Sequence, residues 1–174
     1  QALEYFRGGI AVPRDTAYSG SFEGPLRAVW MSQYGTTAKK EGQITEAIAA
    51  FAEAVRLTPK DATARFQYGN ILLGQKQFAE ALPHLQAAAA DSQNAKRMVA
   101  VGFALMQLER VDEARTWLLR ALELDPTFAI GWYHLGMAEQ AMSNRDAAIA
   151  AFRTAVELQP QFLRAKEAME RVGE

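Results

Sequence analysis

Two histidines, His84 and His134, are the side chains best suited to chemistry in this 174-residue chain. Histidine titrates near neutral pH and ligates metals, so each could act as a general base or as a ligand. A helical metal site needs a second donor at a spacing such as His-x3-His, and neither histidine has one. The chain has no cysteine, which excludes disulfides, thiolate metal sites and thiol catalysis. No phosphate loop and no nucleophile elbow occurs. Glu46, Glu53, Glu80, Asp112 and Glu113 fall near the starts of helical segments or on exposed faces, the ordinary placement of acids against a helix dipole. Lys39-Lys40 and Lys96-Arg97 read as short basic pairs on a solvated face. These residues predict no catalytic, cofactor-binding or metal-binding constellation. The histidines read as surface or partly packed side chains.

Composition narrows the classes further. Apolar residues make up 49% and charged residues 22%, the balance of a globular domain, and the net charge of -1 supplies no basic field for nucleic acid or an acidic membrane. No apolar run approaches the length of a membrane span. The length is one domain's worth, enough for a real core. The chain opens on Gln1 rather than Met, so a processed form or a piece of a longer protein is expected. The compartment is left open, because absence of cysteine fits an oxidising or a reducing one.

The elements that carry these residues repeat. Gly35, Gly69, Gly102 and Gly136 are separated by 34, 33 and 34 residues. A larger residue precedes each: Tyr34, Tyr68, Val101 and Leu135. Twelve residues after each glycine stands Ala47, Ala81, Ala114 or Ala148. Four further on comes a bulky residue, Phe51, Leu85, Leu118 or Phe152, and three beyond that another alanine, Ala54, Ala88, Ala121 or Ala155. Pro59, Pro126 and Pro160 close three of the four units. A glycine inside a helix costs about 1 kcal/mol relative to alanine, so something must offset it. Two helices crossing closely would do so, the small residue of one accepting the large residue of the other.

These units resemble the tetratricopeptide repeat, whose signature runs Trp-x2-Leu-Gly-x2-Tyr, then Ala, Phe, Ala and Pro. The last unit matches best, through Trp132, Leu135, Gly136, Ala148, Phe152, Ala155 and Pro160. The departures are Arg65 in the aromatic slot, Ala38 and Glu139 in the tyrosine slot, and Gln93 for the closing proline. The stretch 87–94 is one residue short, so the second junction should be the least regular. The resemblance implies an all-α, right-handed superhelical solenoid of four hairpins (28–61, 62–94, 95–128 and 129–162) followed by a capping helix at 163–174. Leu163, Ala165, Met169 and Val172 are available to turn the apolar face of that cap inward. Pro83 falls about one turn into a second helix, where few backbone donors are lost, so a mild bend at most is expected.

Residues 1–27 do not fit the repeat. Gly8-Gly9, Pro13, Ser19-Gly20 and Gly24-Pro25 are turn signals, and Pro25 reads as the first residue of the first repeat helix. Leu3, Tyr5, Phe6, Ile10, Val12, Tyr18 and Phe22 are too many large apolar side chains for a solvated linker. Two readings stand: a segment packed along the first hairpin, or an arm that inserts into another molecule.

In tetratricopeptide arrays the first helices line a concave surface that holds partner segments. Carried onto this chain, that surface takes the residues three before, one after and four after each glycine. Its N-terminal end is polar, with Ser32, Thr36 and Lys39, and it turns apolar further on, with Phe66, Leu73, Val99, Phe103, Met106, Tyr133 and Met137. Of the lysine, asparagine and arginine set with which chaperone-binding members clamp a carboxylate, only Asn70 is present. The expected function is a non-catalytic scaffold or adaptor. Its groove, formed by Phe66, Asn70, Val99, Phe103, Met106, Tyr133 and Met137, would take an amphipathic helix or an apolar peptide segment of another protein. The alternative is a docking or oligomerisation subunit that self-associates or attaches through the N-terminal arm. The same side chains could also be core.

Overall fold

The computed structural model describes residues 23–90 and 93–173. The N-terminal arm as far as residue 22 therefore lies outside the described residues, as do Asp91 and Ser92 in the junction expected to be least regular. Nine α-helices and no strand occur among the described residues: α1 Glu23–Lys40, α2 Ile44–Leu57, α3 Ala62–Gly74, α4 Phe78–Ala90, α5 Ala95–Gln107, α6 Val111–Leu124, α7 Ala129–Ala141, α8 Arg145–Leu158 and α9 Leu163–Gly173. They fall into two compact units, one ending at Gln77 and the other starting at Phe78. The second repeat therefore gives α3 to the first unit and α4 to the second. The architecture is an all-α helical repeat of the solenoid class.

One local rule builds every turn within a hairpin. Seven residues after each repeat glycine, the backbone enters the left-handed region, at Gly42 (φ 77°), Lys76 (φ 60°), Glu109 (φ 59°) and Ser143 (φ 63°). The next amide then reaches back over the helix end. Gln43 N–H donates to Ala38 O at 2.8 Å, Gln77 to Leu72 at 3.0 Å, Arg110 to Leu105 at 2.9 Å and Asn144 to Glu139 at 2.8 Å. This closes carbonyls that the helix end would leave open. Only the first turn uses glycine, so the other three each carry a side chain in a conformation L-residues disfavour.

Three of the four repeat glycines do what their spacing predicts. A Cβ on Gly136 would lie 2.6 Å from the Phe152 ring, one on Gly102 2.7 Å from Leu118 Cγ, and one on Gly35 3.0 Å from Phe51. In each case the large residue belongs to the partner helix of the same hairpin. Phe51, Leu118 and Phe152 are among the most deeply buried side chains. In the first unit Phe51 sits with Tyr34, Ala38, Ala47, Ala50 and Ile71, against Ile44, Ile48 and Tyr68.

Several departures from the repeat signature have local explanations. Trp132 Nε1 donates to Pro126 O at 2.8 Å, and Arg65 Nε, in the equivalent position, donates to Pro59 O. Arginine thus supplies the same N–H as the aromatic. In the tyrosine slot Glu139 is buried at 4% exposure, accepting from Arg115 Nε at 2.6 Å and Asn144 Nδ2 at 2.7 Å. Where Gln93 replaces proline, Asn94 starts α5 by accepting the Arg97 amide at 3.2 Å.

Two expectations need correction. The first helix starts at Glu23, not at Pro25, which lies in its first turn where a missing N–H costs little. In the cap, Ala165 is buried, and Met169 and Val172 pack against the Ala148–Phe152–Ala168 cluster, but Leu163 is 67% exposed. Leu163 opens α9, one turn too early to reach that cluster, and Ala168 takes the inward place instead. The α4 helix does start at Phe78, which puts Pro83 just over one turn in, and it continues through that residue.

Candidate functional site

Within the second unit, aromatic rings connect five segments. Phe78 at the start of α4 meets Phe103 of α5 edge-on, with centroids 6.3 Å apart. Phe103 meets His134 of α7 at 5.4 Å. Tyr133 then meets His134 at 5.4 Å, Phe152 of α8 at 5.8 Å and Phe162, ahead of α9, at 5.0 Å. Rings at these separations attract beyond simple burial. Phe78, Phe103, Tyr133, His134 and Phe162 are all half-buried, so the series lies between core and surface.

The groove positions sort by depth. Val99 is only 5% exposed and belongs to the core. Phe103, Met106, Tyr133 and Met137 are half-buried, and Tyr133 and Met137 lean on the Phe152 cluster. Phe66 and Asn70 lie on α3 in the first unit and are half-buried too. The side chains of Phe103 and Tyr133 come together through the His134 ring between them.

Sequence reasoning passed over Phe78 and Phe162, and it read His134 only as a surface or partly packed side chain. Phe162 had a signal, since Phe128 stands 34 residues before it in the same register. Phe78 and His134 had none, because their packing depends on a neighbouring helix. His134 Nδ1 is sealed from solvent without a hydrogen-bond partner. Burial pushes its pKa from 6.5 down to about 4, since a charged imidazolium would be poorly solvated there. The neutral ring is thus the resting form at neutral pH. Among the described residues, no group of three or more His, Asp or Glu side chains could hold a metal ion. No described helix is long and apolar enough to cross a membrane.

The first unit presents a different surface. An open cleft is lined by Val29, Ser32, Gln33, Thr36 and Thr37 of α1, with Asp61 and Thr63 at the start of α3. In the same unit, Arg27 and Arg56 flank Glu53 at 3.3 and 2.6 Å, and the Arg56 hydrogen bonds hold that carboxyl below its usual range.

Hairpins with this glycine-to-large contact and this turn define a helical-repeat interaction fold. The chain belongs to the tetratricopeptide repeat family: three family models match residues 35–95, 72–135 and 129–162. Members of this family are protein-interaction scaffolds. Solved structures agree on the fold. YrrB, a tetratricopeptide-repeat protein with an unusual peptide-binding site, is 24% identical with a TM-score of 0.76, over 82% of this chain and 74% of its own. MamA from Desulfovibrio magneticus RS-1 is 23% identical with a TM-score of 0.77, over 92% and 85%. A further MamA structure is 21% identical with a TM-score of 0.77, over 84% and 80%. No curated protein matches the chain in sequence.

Proposed function

We propose that this chain is a non-catalytic adaptor that presents the apolar side chains of its second unit to a helix or extended segment of a partner protein. The observation that carries the reading is the half-buried series of Phe103, Met106, Tyr133 and Met137 on α5 and α7. Aromatic and methionine side chains left partly open offer large, adaptable contact area, and a few such anchors supply most of an interface's energy. Val99 supports this surface from beneath. Phe66 and Asn70 hold the same register positions in the first unit. The peptide-binding site of YrrB, a protein of the same fold, is consistent with such a role.

A pair of substitutions tests it. Phe103→Ser with Met106→Ser removes apolar contact without adding charge. Partner capture should fall at least tenfold, and capture by the native chain should change little between low and moderate salt. Undiminished capture by a folded double variant would contradict the proposal.

A second reading rests on α1. Leu26, Val29 and Trp30, at 59, 53 and 40% exposure, recur at helical spacing along one stripe. That stripe favours a docking or oligomerisation role next to the N-terminal arm. Light scattering separates the two readings, a monomer supporting the adaptor.

A further inference from the structure

The cleft of the first unit has a chemistry of its own, set by where its protons point. Thr36 Oγ1 donates to Ser32 O at 2.8 Å, and Thr37 Oγ1 donates to Gln33 O at 3.1 Å. A carbonyl oxygen only accepts, so each threonine hydroxyl has its one proton engaged and keeps only lone pairs for a ligand. Asp61 adds a carboxylate. Its Oδ1 accepts the Thr63 amide at 2.8 Å and the Ala64 amide at 3.3 Å, and no described donor is bonded to Oδ2. The part of the cleft formed by Thr36, Thr37 and Asp61 is therefore rich in acceptors and bears negative charge, and Ser32 and Gln33 line the cleft beside it. Val29, 53% exposed, adds an apolar wall.

The complement of such a surface is a cation with several donors and no acceptor, carried on an apolar stem. An ammonium group has three donors and fits oxygens on separate side chains. A guanidinium gains most from a carboxylate that offers both oxygens, and one oxygen of Asp61 is already engaged by backbone amides. Lysine methylenes can lie along an apolar wall while the charge reaches polar groups. Lys39, Lys40 and Lys60 are neighbours in sequence, and none of them lines the cleft.

We propose that this cleft is a subsite for a lysine side chain of a bound protein segment, with Asp61 and the hydroxyl oxygens of Thr36 and Thr37 taking the ammonium and Val29 taking the stem. Its chemistry is opposite to that of the apolar surface of the second unit.

The test is an NMR titration of the whole chain with the blocked tripeptide acetyl-Gly-Lys-Gly-amide. The lysine peptide should shift the backbone amides of Ser32, Thr36, Thr37 and Thr63 saturably. Peptides with norleucine or glutamate in place of lysine should not. Asp61→Asn should weaken binding at least tenfold while leaving the melting temperature in place, because asparagine caps a helix about as well as aspartate. Thr36→Val, which removes one acceptor and keeps the shape, should weaken it severalfold. Equal shifts from the norleucine peptide would make the cleft merely apolar, and shifts from the glutamate peptide would make the nearby lysines dominant. Either result overturns the proposal, as does undiminished binding by Asp61→Asn. Tighter binding of free n-butylammonium than of the peptide overturns it too, by assigning the cleft to small amines.

Discussion

The two units are made from one repeat, yet the groove positions of α1 in the first differ in chemistry from those of α5 and α7 in the second. At equivalent positions of their first helices, α1 carries Ser32 and Thr36, whereas α5 and α7 carry Val99, Phe103, Tyr133 and Met137. The hairpin framework tolerates this because its stability comes from elsewhere, from contacts such as Gly35 against Phe51, Gly102 against Leu118 and Gly136 against Phe152. Positions outside that contact are free to specialise. The threonines of the first unit bond back to their own helix, while the rings of the second bridge several helices. The lesson is that apolar surface in the second unit is coupled to its core, and polar surface in the first is not.

The largest expected effect breaks that coupling. Removing residues 163–173 uncovers Phe152, now fully buried, and takes away Met169 and Val172. Losing these contacts should destabilise the second unit by about 4 kcal/mol, the scale of emptying part of a core. Thermal melting with aggregation monitored by light scattering checks it, and an unchanged melting temperature would rule out the cap as support for the last hairpin.

A smaller effect depends on pH. His134 is neutral in the fold, with its pKa lowered by burial from 6.5 to about 4, whereas the unfolded chain binds a proton near 6.5. Its stabilising contribution is complete above about pH 6.5 and is lost as the pH falls toward 4, at most about 3 kcal/mol from this group. Denaturant unfolding between pH 7 and 4 should show this slope, and His134→Phe should flatten it. An unaltered slope in that variant would mean that other groups dominate.

The smallest effect compares the same position in both units. Gly136→Ala forces a methyl into the Phe152 ring at 2.6 Å, and Gly35→Ala meets Phe51 at 3.0 Å. Overpacking typically costs about 1–3 kcal/mol, and alanine regains about 1 kcal/mol of helix propensity. Gly136→Ala should therefore lose about 1–2 kcal/mol and Gly35→Ala should be nearly neutral. Equal effects at the two positions would erase the difference in fit between the hairpins.

The repeat was legible because its cause is periodic. Gly136, Ala148 and Phe152 meet in one hairpin, and their spacing states that contact directly. Side chains whose roles depend on another repeat were less legible. Glu139 stands in a slot that suggests tyrosine, and its pairing with Arg115, 24 residues away, could not be read from its own unit. Leu163 looked suited to face inward, but the inward stripe of α9 starts at Ala165, so register mattered more than hydrophobicity. For the candidate surface, counting along the repeat proposed a shared helix face for Phe103, Tyr133 and Met137. Their depth did not follow from the count, because it depends on Phe78, Phe162 and α9, which pack from other parts of the chain.

The central claim is that a partner meets the apolar surface of the second unit. Site-specific photocrosslinking tests it most directly, with a benzophenone side chain placed in turn at Met106 on α5, Gln140 on α7 and the exposed Arg153 on α8, and the native partner supplied by cell extract. A single crosslinked partner from positions 106 and 140, competed away by unlabelled native chain and absent at 153, is the predicted result. Crosslinking at 153 with none at 106 or 140 would contradict the account and move the binding surface to the second helices.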